Sequence, residues 1–116
     1  MKTFNNYFYL SDLAVQDKNS LQKLCQLFDP EAVIEANDGH TYIGDKEIIP
    51  FFKSFFSRNL ATRHLWDIQS IDDGVFQANW AVVGQRKSGD YFTLTGRDIA
   101  TIKNNKIIKL KIIGDQ

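Results

Sequence analysis

The spacing of apolar side chains changes once along this chain, and that change limits the folds it can adopt. In the first half, apolar residues recur three and four positions apart, as at Phe4, Tyr7 and Phe8, which is the spacing of one helix face. From Ala61 onward they alternate with polar residues, as along a β-strand with one face buried. Helices followed by a series of strands predict an α+β fold, with the helices covering one face of an antiparallel sheet.

Three helices are predicted before Ala61. Their apolar stripes contain Phe4, Tyr7, Phe8 and Ser11 in the first, Leu21, Leu24, Cys25, Leu27 and Phe28 in the second, and Ile48, Phe52, Phe55 and Phe56 in the third. Asp17 or Asn19 can cap the second helix. Residues 32–36 are predicted to form a short strand before the third helix. Turn residues at 72–74, 87–90 and 104–105 divide the remainder into four strands.

Composition narrows the classes of function. The 116 residues are expected to form one domain spanning 1–116. Lys and Arg number 14, as do Asp and Glu, and the basic residues form no continuous run. A nucleic-acid partner would need a basic face, so none is expected.

Two further exclusions follow from the sequence. No apolar stretch is long enough for a membrane span or a signal peptide, which predicts no membrane association and a cytoplasmic location. The lone Cys25 lacks metal-ligating neighbours, and no metal or cofactor is predicted.

Strand alternation turns a set of large side chains toward the helices, where they are expected to line a pocket. The predicted pocket walls are Trp66, Trp80, Phe76 and Phe92 from the strands, joined by Tyr42 and Phe52. In the last strand the same alternation turns Ile108, Leu110 and Ile112 inward. The outer face carries Leu65, Val83, Tyr91 and Ile99 among polar residues, a mixture that favours a homodimer interface.

Two ionisable residues, His64 and Asp98, interrupt the apolar inner face. A carboxylate there costs several kcal/mol unless it is paired, hydrogen-bonded or protonated. Gly96 and Ala100 flank Asp98 and are small, which predicts open space around the carboxyl, as in a ligand pocket. Structural roles are the alternative: His64 can reach water at the sheet edge, and Asp98 can bond a backbone amide or His64.

Several strings, in their order and spacing, resemble the nuclear transport factor 2-like superfamily, especially its SnoaL-like branch. They are Tyr7-Phe8 through Asp17, Leu24 to Phe28 with Ala32-Val33-Ile34, Gly44-Asp45-Lys46-Glu47-Ile48 with Phe51-Phe52, and Gly96-Arg97-Asp98-Ile99-Ala100 before Asn105-Lys106-Ile107-Ile108. The resemblance covers essentially the whole chain. It implies a cone-shaped, strongly curved sheet with three helices on its concave face, often in a dimer. Members include ketosteroid isomerase, scytalone dehydratase, limonene epoxide hydrolase, polyketide cyclases and non-catalytic proteins, so fold alone assigns no function.

The resemblance to ketosteroid isomerase implies specific positions. Tyr9 matches the oxyanion-donating Tyr of the first helix, and Asp98 matches the second donor, a neutral Asp on a late strand. The general base of that family corresponds to Ala36 here, and the adjacent Glu35 points to the opposite side of its strand. Without a base in its usual place, a ketosteroid isomerase is not expected.

Comparison with the other members leaves acid–base chemistry open. His64, Asp98 and a tyrosine, Tyr9 or Tyr42, approximate the His, Asp and Tyr groups of the dehydratase. The epoxide hydrolase uses an Arg between two Asp residues, whereas Arg97 faces outward by alternation.

Two main hypotheses for function result. The first is a module that binds a small apolar molecule in an internal pocket without catalysis. The alternative is a small isomerase, dehydratase or cyclase, with His64 as base, Asp98 as its orienting group or as an acid, and Tyr9 or Tyr42 as a hydrogen-bond donor. A third interpretation, an adaptor for a protein partner, would need a larger exposed apolar patch than the outer face offers.

Overall fold

The computed structural model describes residues 2–115, which form three helices and six strands. In chain order they are α1 (Lys2–Ala14), α2 (Lys18–Cys25), β1 (Phe28–Glu35), β2 (Thr41–Ile43), α3 (Asp45–Ser57), β3 (Asn59–Asp72), β4 (Val75–Arg86), β5 (Tyr91–Lys103) and β6 (Lys106–Gly114). The strands form one curved, unclosed sheet in the order β2-β1-β6-β5-β4-β3. The predicted α+β fold class is confirmed.

Neighbouring strands run antiparallel, with the exception of β1 and β6, which run parallel. The β3–β4–β5–β6 meander follows the predicted turns, and Asn104 and Asn105 both take the positive φ that their tight turn requires. The last strand returns beside β1, so that both halves of the chain share one sheet.

Two of the three helices begin after residues suited to the N-cap position. Asp17 caps α2, since its carboxylate accepts the N–H of Asn19 at 3.1 Å and the hydroxyl of Ser20 at 2.8 Å. Gly44, with φ of 76°, precedes α3, a conformation that glycine adopts without strain. The longest helices have 13 residues, and no helix within residues 2–115 is long and apolar enough to cross a membrane.

The core lies between the helices and the concave face of the sheet. Its fully buried large side chains are Phe4 and Phe8 from α1, Leu24 from α2, Ile48 and Phe52 from α3, and Ile34, Ile107 and Leu110 from the sheet. Each such burial contributes about 1.5–3 kcal/mol. This packing holds α1 and α3 against the strands and leaves one end of the interior unfilled.

A register shift in the β5–β6 pair changes which isoleucine enters the core. Ile102 pairs with Ile107, and the next paired residue, Thr101, lies opposite Lys109. The additional residue on β6 breaks the alternation there, as a β-bulge does. Ile107 is therefore fully buried and Ile108 only partly, whereas strict alternation had turned Ile108 inward.

Candidate functional site

A cavity of about 470 Å³ lies between α1, α3 and the concave face of the sheet. Its walls are mainly aromatic and aliphatic: Tyr7, Phe8, Phe51, Phe52, Phe55, Phe56, Trp80, Val82, Phe92, Leu94 and Ile112. The volume falls in the range of small-molecule sites, about 300–1,000 Å³. A few polar groups are placed among these walls, and they determine what the cavity can do.

The cavity opens at one end of the sheet. There β1, β4 and β6 end and β3 and β5 begin, as the strand directions require. The exposed polar residues of the lining define the cavity mouth: Asn37, Asp38, Arg58, Arg86, Thr95 and Asp115. Asn37 accepts the N–H of Gly114 at 2.8 Å and so joins the ends of β1 and β6.

Asp98 lines the cavity as a buried carboxyl, with 3% of its surface exposed. Its Oδ1 accepts the indole N–H of Trp80 at 2.9 Å. Burial raises the pKa of Asp98 to about 7, and the hydrogen bond from Trp80 acts in the opposite direction. Near neutral pH the carboxyl is therefore protonated in a large fraction of molecules and can donate a hydrogen bond.

The glycine beside Asp98 accommodates an aromatic ring. Trp80 and Gly96 are directly paired across β4 and β5, and a Cβ on Gly96 would collide with the Trp80 ring and the carbonyl of Ile113. The same relation recurs nearby, where the Phe92 ring covers Gly84. The volume missing at Gly96 is thus occupied by the indole and does not remain open around Asp98.

His64 also lines the cavity, but its carboxylate partner is Asp12 from α1. The imidazole Nδ1 lies 2.5 Å from Asp12 Oδ1, and the backbone N–H of His64 donates to Oδ2 at 2.9 Å. Thr62 adds a hydroxyl bond to Oδ1 at 3.1 Å. Asp12 thus accepts hydrogen bonds from three groups of β3. Within residues 2–115, His64 and Asp98 form no hydrogen bond with each other, so that alternative is wrong.

Sequence reasoning did not single out Asp12. It lies four residues after Phe8 and next to Ser11, both on the buried face of α1, so its position on the amphipathic helix was the available signal. Because Asp12 holds Nδ1, the ring nitrogen left for a cavity ligand is Nε2. Within residues 2–115, Nε2 makes no hydrogen bond.

Tyr7, and not Tyr9, is the tyrosine that lines the cavity. Tyr7 is 7% exposed, and burial together with the nearby charge of Asp98 raises the pKa of its phenol well above the usual value. Tyr9 is 61% exposed and packs edge-on against Trp66 at 4.8 Å. Residues two apart on a helix point to opposite sides, so the two tyrosines cannot share the cavity.

The predicted pocket walls divide into two groups. Trp80, Phe92 and Phe52 line the cavity. Trp66 and Phe76 lie on a separate shallow groove, where Trp66 stacks on Phe8 at 5.2 Å and donates to Asn5 at 2.8 Å. Tyr42 lies outside the cavity against Phe51, with ring centroids 4.5 Å apart. Phe8 separates the Trp66 groove from the cavity, which strand alternation alone could not indicate.

Ala36 lines the cavity at the position where the isomerase comparison expects a base. The neighbouring Glu35 lies outside the cavity lining, and its carboxylate is 3.9 Å from the ammonium group of Lys109. The structure therefore supplies no carboxylate at this position. Among residues 2–115, the ionisable groups that line the cavity away from its mouth are those of Asp98, Tyr7 and His64.

Comparison with known proteins assigns the family. The model of the SnoaL-like domain matches residues 10–110, and the chain belongs to this family. No curated protein matches the chain. The resemblance to the nuclear transport factor 2-like superfamily, SnoaL-like branch, is thereby confirmed.

Solved structures share the fold over nearly the whole chain. An NTF2-like protein of unknown function from Exiguobacterium sp. 255-15 is 27% identical, with 99% of both chains covered and a TM-score of 0.88. A candidate SnoaL-like polyketide cyclase from Jannaschia sp. CCS1 is 12% identical, with 98% of this chain and 83% of that chain covered and a TM-score of 0.81. The epoxide hydrolase/cyclase-like enzyme SalBIII, described in pyran ring formation in the polyether salinomycin, is also 12% identical, with coverages of 99% and 89% and a TM-score of 0.82. At 12% identity, the likeness to the last two proteins shows the fold alone.

Proposed function

We propose that this protein binds a small, largely apolar compound with a carbonyl or hydroxyl group in its internal cavity. The observation that carries the proposal is the carboxyl of Asp98, buried among aromatic walls and held by Trp80 at 2.9 Å. Apolar walls with a few fixed polar groups are typical of small-molecule sites. In its protonated form Asp98 would donate to the ligand oxygen, and the Tyr7 hydroxyl, which remains neutral, offers a second donor.

The two tryptophans provide a direct test of binding. Trp80 lines the cavity, whereas Trp66 lies on the separate groove. Titration with 2-acetonaphthone or 2-naphthol should shift the indole N–H resonance of Trp80 in a ¹⁵N–¹H spectrum and leave that of Trp66 in place. Asp98→Leu should weaken binding, whereas Asp67→Leu, an exposed position on β3, should not. If neither compound moves the Trp80 resonance at millimolar concentration, the proposal is wrong.

A second candidate is acid–base catalysis, favoured by the short His64–Asp12 contact. A carboxylate on Nδ1 holds the imidazole in the tautomer whose Nε2 can accept a proton. Nε2 would remove a proton from the carbon next to a ligand carbonyl while protonated Asp98 hydrogen-bonds the carbonyl oxygen. Return of that proton to another carbon completes an isomerisation, whereas delivery of a solvent-derived proton from Nε2 to the same carbon completes an exchange. Trp80 contacts both groups, since its ring centroid lies 6.3 Å from that of His64.

Deuterium exchange distinguishes the two candidates. In D₂O, a catalytic protein should speed the loss of the methyl proton signal of 2-acetonaphthone, and His64→Gln should abolish that acceleration. Asp12→Asn should reduce it, and Asp67→Asn should leave it unchanged. Binding without any acceleration would contradict the catalytic candidate and leave the binding proposal intact.

We also propose that two copies of the chain form a homodimer through the outer face of the sheet. Leu65 is 79% exposed and Val83 is 47% exposed, and Ala81 lies opposite Leu65 across the β3–β4 pair. A contiguous apolar patch of this kind suits a self-complementary interface between two copies. A cytoplasmic location likewise remains a proposal.

A further inference from the structure

Two arginines stand side by side at the cavity mouth. Arg58 follows α3 and Arg86 ends β4. Asn59 pairs with Arg86 across the sheet, and the N–H of Lys87 donates to the Arg58 carbonyl at 3.2 Å, so the two backbones are adjacent. Both side chains are exposed, and both line the cavity.

Each guanidinium is placed over a ring of the cavity wall. The Arg86 Cζ lies 4.5 Å from the centroid of Phe92, and the Arg58 Cζ lies 5.5 Å from that of Phe55. Attraction between a cation and the face of an aromatic ring favours these positions. Neither arginine forms a salt bridge within residues 2–115, so both positive charges remain available to a ligand.

The carboxylates of the mouth are already engaged. Asp38 accepts the backbone N–H of His40 at 2.9 Å and faces its imidazole at 3.0 Å. Asp115 accepts the hydroxyl of Thr95 at 2.8 Å. These acidic groups follow β1 and β6, whereas the arginines lie at the ends of β3 and β4, so the mouth has a separate basic side.

We propose that the natural ligand is an apolar carboxylate, whose hydrophobic body enters the cavity while its carboxylate binds Arg58 and Arg86 at the mouth. This inference rests on the proposed function, because it assigns a chemical class to the ligand of that same cavity. The planar guanidinium groups match a carboxylate geometrically and can each donate two parallel hydrogen bonds to it. Aromatic walls below them suit a ring or a short hydrocarbon body.

Matched ligands that differ only in charge test the inference. 2-Naphthylacetate and 2-naphthylacetamide have the same ring system and similar size, and isothermal titration at low salt measures both affinities. We expect the carboxylate to bind the native protein about tenfold more tightly, the effect of one good charged hydrogen bond. The double variant Arg58→Gln/Arg86→Gln should lose this preference and still bind the amide.

The control variant removes the same total charge elsewhere. Arg63→Gln/Arg97→Gln changes two exposed arginines of β3 and β5 that do not line the cavity, and it should keep the preference for the carboxylate. Two results would overturn this inference and leave the proposed function intact. One is equal affinity of the native protein for the acid and the amide, and the other is an equal loss of preference in the control variant. Failure of both compounds to bind at millimolar concentration would overturn the inference and would also count against the proposed function.

Discussion

The imidazole Nδ1 of His64 lies 2.5 Å from Oδ1 of Asp12, although 52 positions separate the two residues in the chain. The contact joins the first helix to the first long strand at the edge of the cavity. One carboxylate thereby orients the ring of His64, accepts its backbone N–H and accepts the hydroxyl of Thr62. The pair is both a structural link between α1 and β3 and the arrangement in which a histidine can act as a base.

Asp12→Ala is expected to destabilise the protein by about 2 kcal/mol, because the partly buried donors of His64 and Thr62 would lose their acceptor. Urea unfolding followed by circular dichroism measures the change. Asp67→Ala, at an exposed position of the same strand, should stay within about 0.5 kcal/mol of the native protein. Equal stability of the two variants would show that the contact contributes nothing.

Asp98→Asn is expected to flatten the pH dependence of stability between about pH 4 and pH 7. Burial raises the pKa of Asp98 to about 7 in the folded protein, whereas the pKa of an Asp in the unfolded chain is about 3.9. Below both pKa values, the folded and the unfolded protein each hold the proton on Asp98. Between the two pKa values the unfolded protein has lost this proton and the folded protein has kept it. The free energy of unfolding of the native protein therefore falls as pH rises, by up to about 4 kcal/mol.

Unfolding free energies measured at successive pH values for both proteins check this expectation. Asparagine keeps an acceptor for the Trp80 indole, so the variant removes the titration and retains the hydrogen bond. The unfolding free energy of the native protein minus that of the variant should therefore decline as pH rises to about 7 and then level off. A difference that stays constant with pH would contradict the assignment.

Gly96→Ala is expected to cost about 2 kcal/mol, since the added methyl would displace the Trp80 ring or the carbonyl of Ile113. Displacement of the ring would also break its bond to Asp98, which the chemical shift of the Trp80 indole N–H reports. Thr93→Ala, an exposed position on the same strand, should change stability by less than about 1 kcal/mol. A native-like Trp80 resonance in the Gly96 variant would contradict the close packing of ring and backbone.

Leu65→Glu is expected to convert the proposed dimer to a monomer, because a charge would be buried at the centre of an apolar interface. Sedimentation velocity of the native and variant proteins measures the change. Leu13→Glu, at an exposed position of α1 away from the outer face, is the matched control and should remain dimeric. A native protein that sediments as a monomer would refute the proposed interface.

Much of the site was predictable from alternation alone. Period-two spacing placed Asp98 and Trp80 on the inner face, and the structure puts both in the cavity wall. The partner of His64 was not predictable, because Asp12 comes from a helix whose contact with β3 depends on how α1 packs. Helix periodicity alone placed Tyr7 on the buried face of α1, whereas Tyr9 came from the resemblance to the isomerase, and the structure buries Tyr7 and exposes Tyr9.

The sequence by itself determined the order of the three helices and the four long strands, the turns between those strands and the inward direction of His64 and Asp98, since these follow from local spacing and turn chemistry. It did not determine where α2 ends, because Phe28, predicted on the second helix, begins β1. Tertiary structure decided the rest. A bulge in β6 buried Ile107 in the core in place of Ile108. The absence of a side chain at Gly96 let the Trp80 indole reach Asp98. These outcomes depend on which strands and helices meet, and hydrophobic periodicity reports only which face of each element is buried.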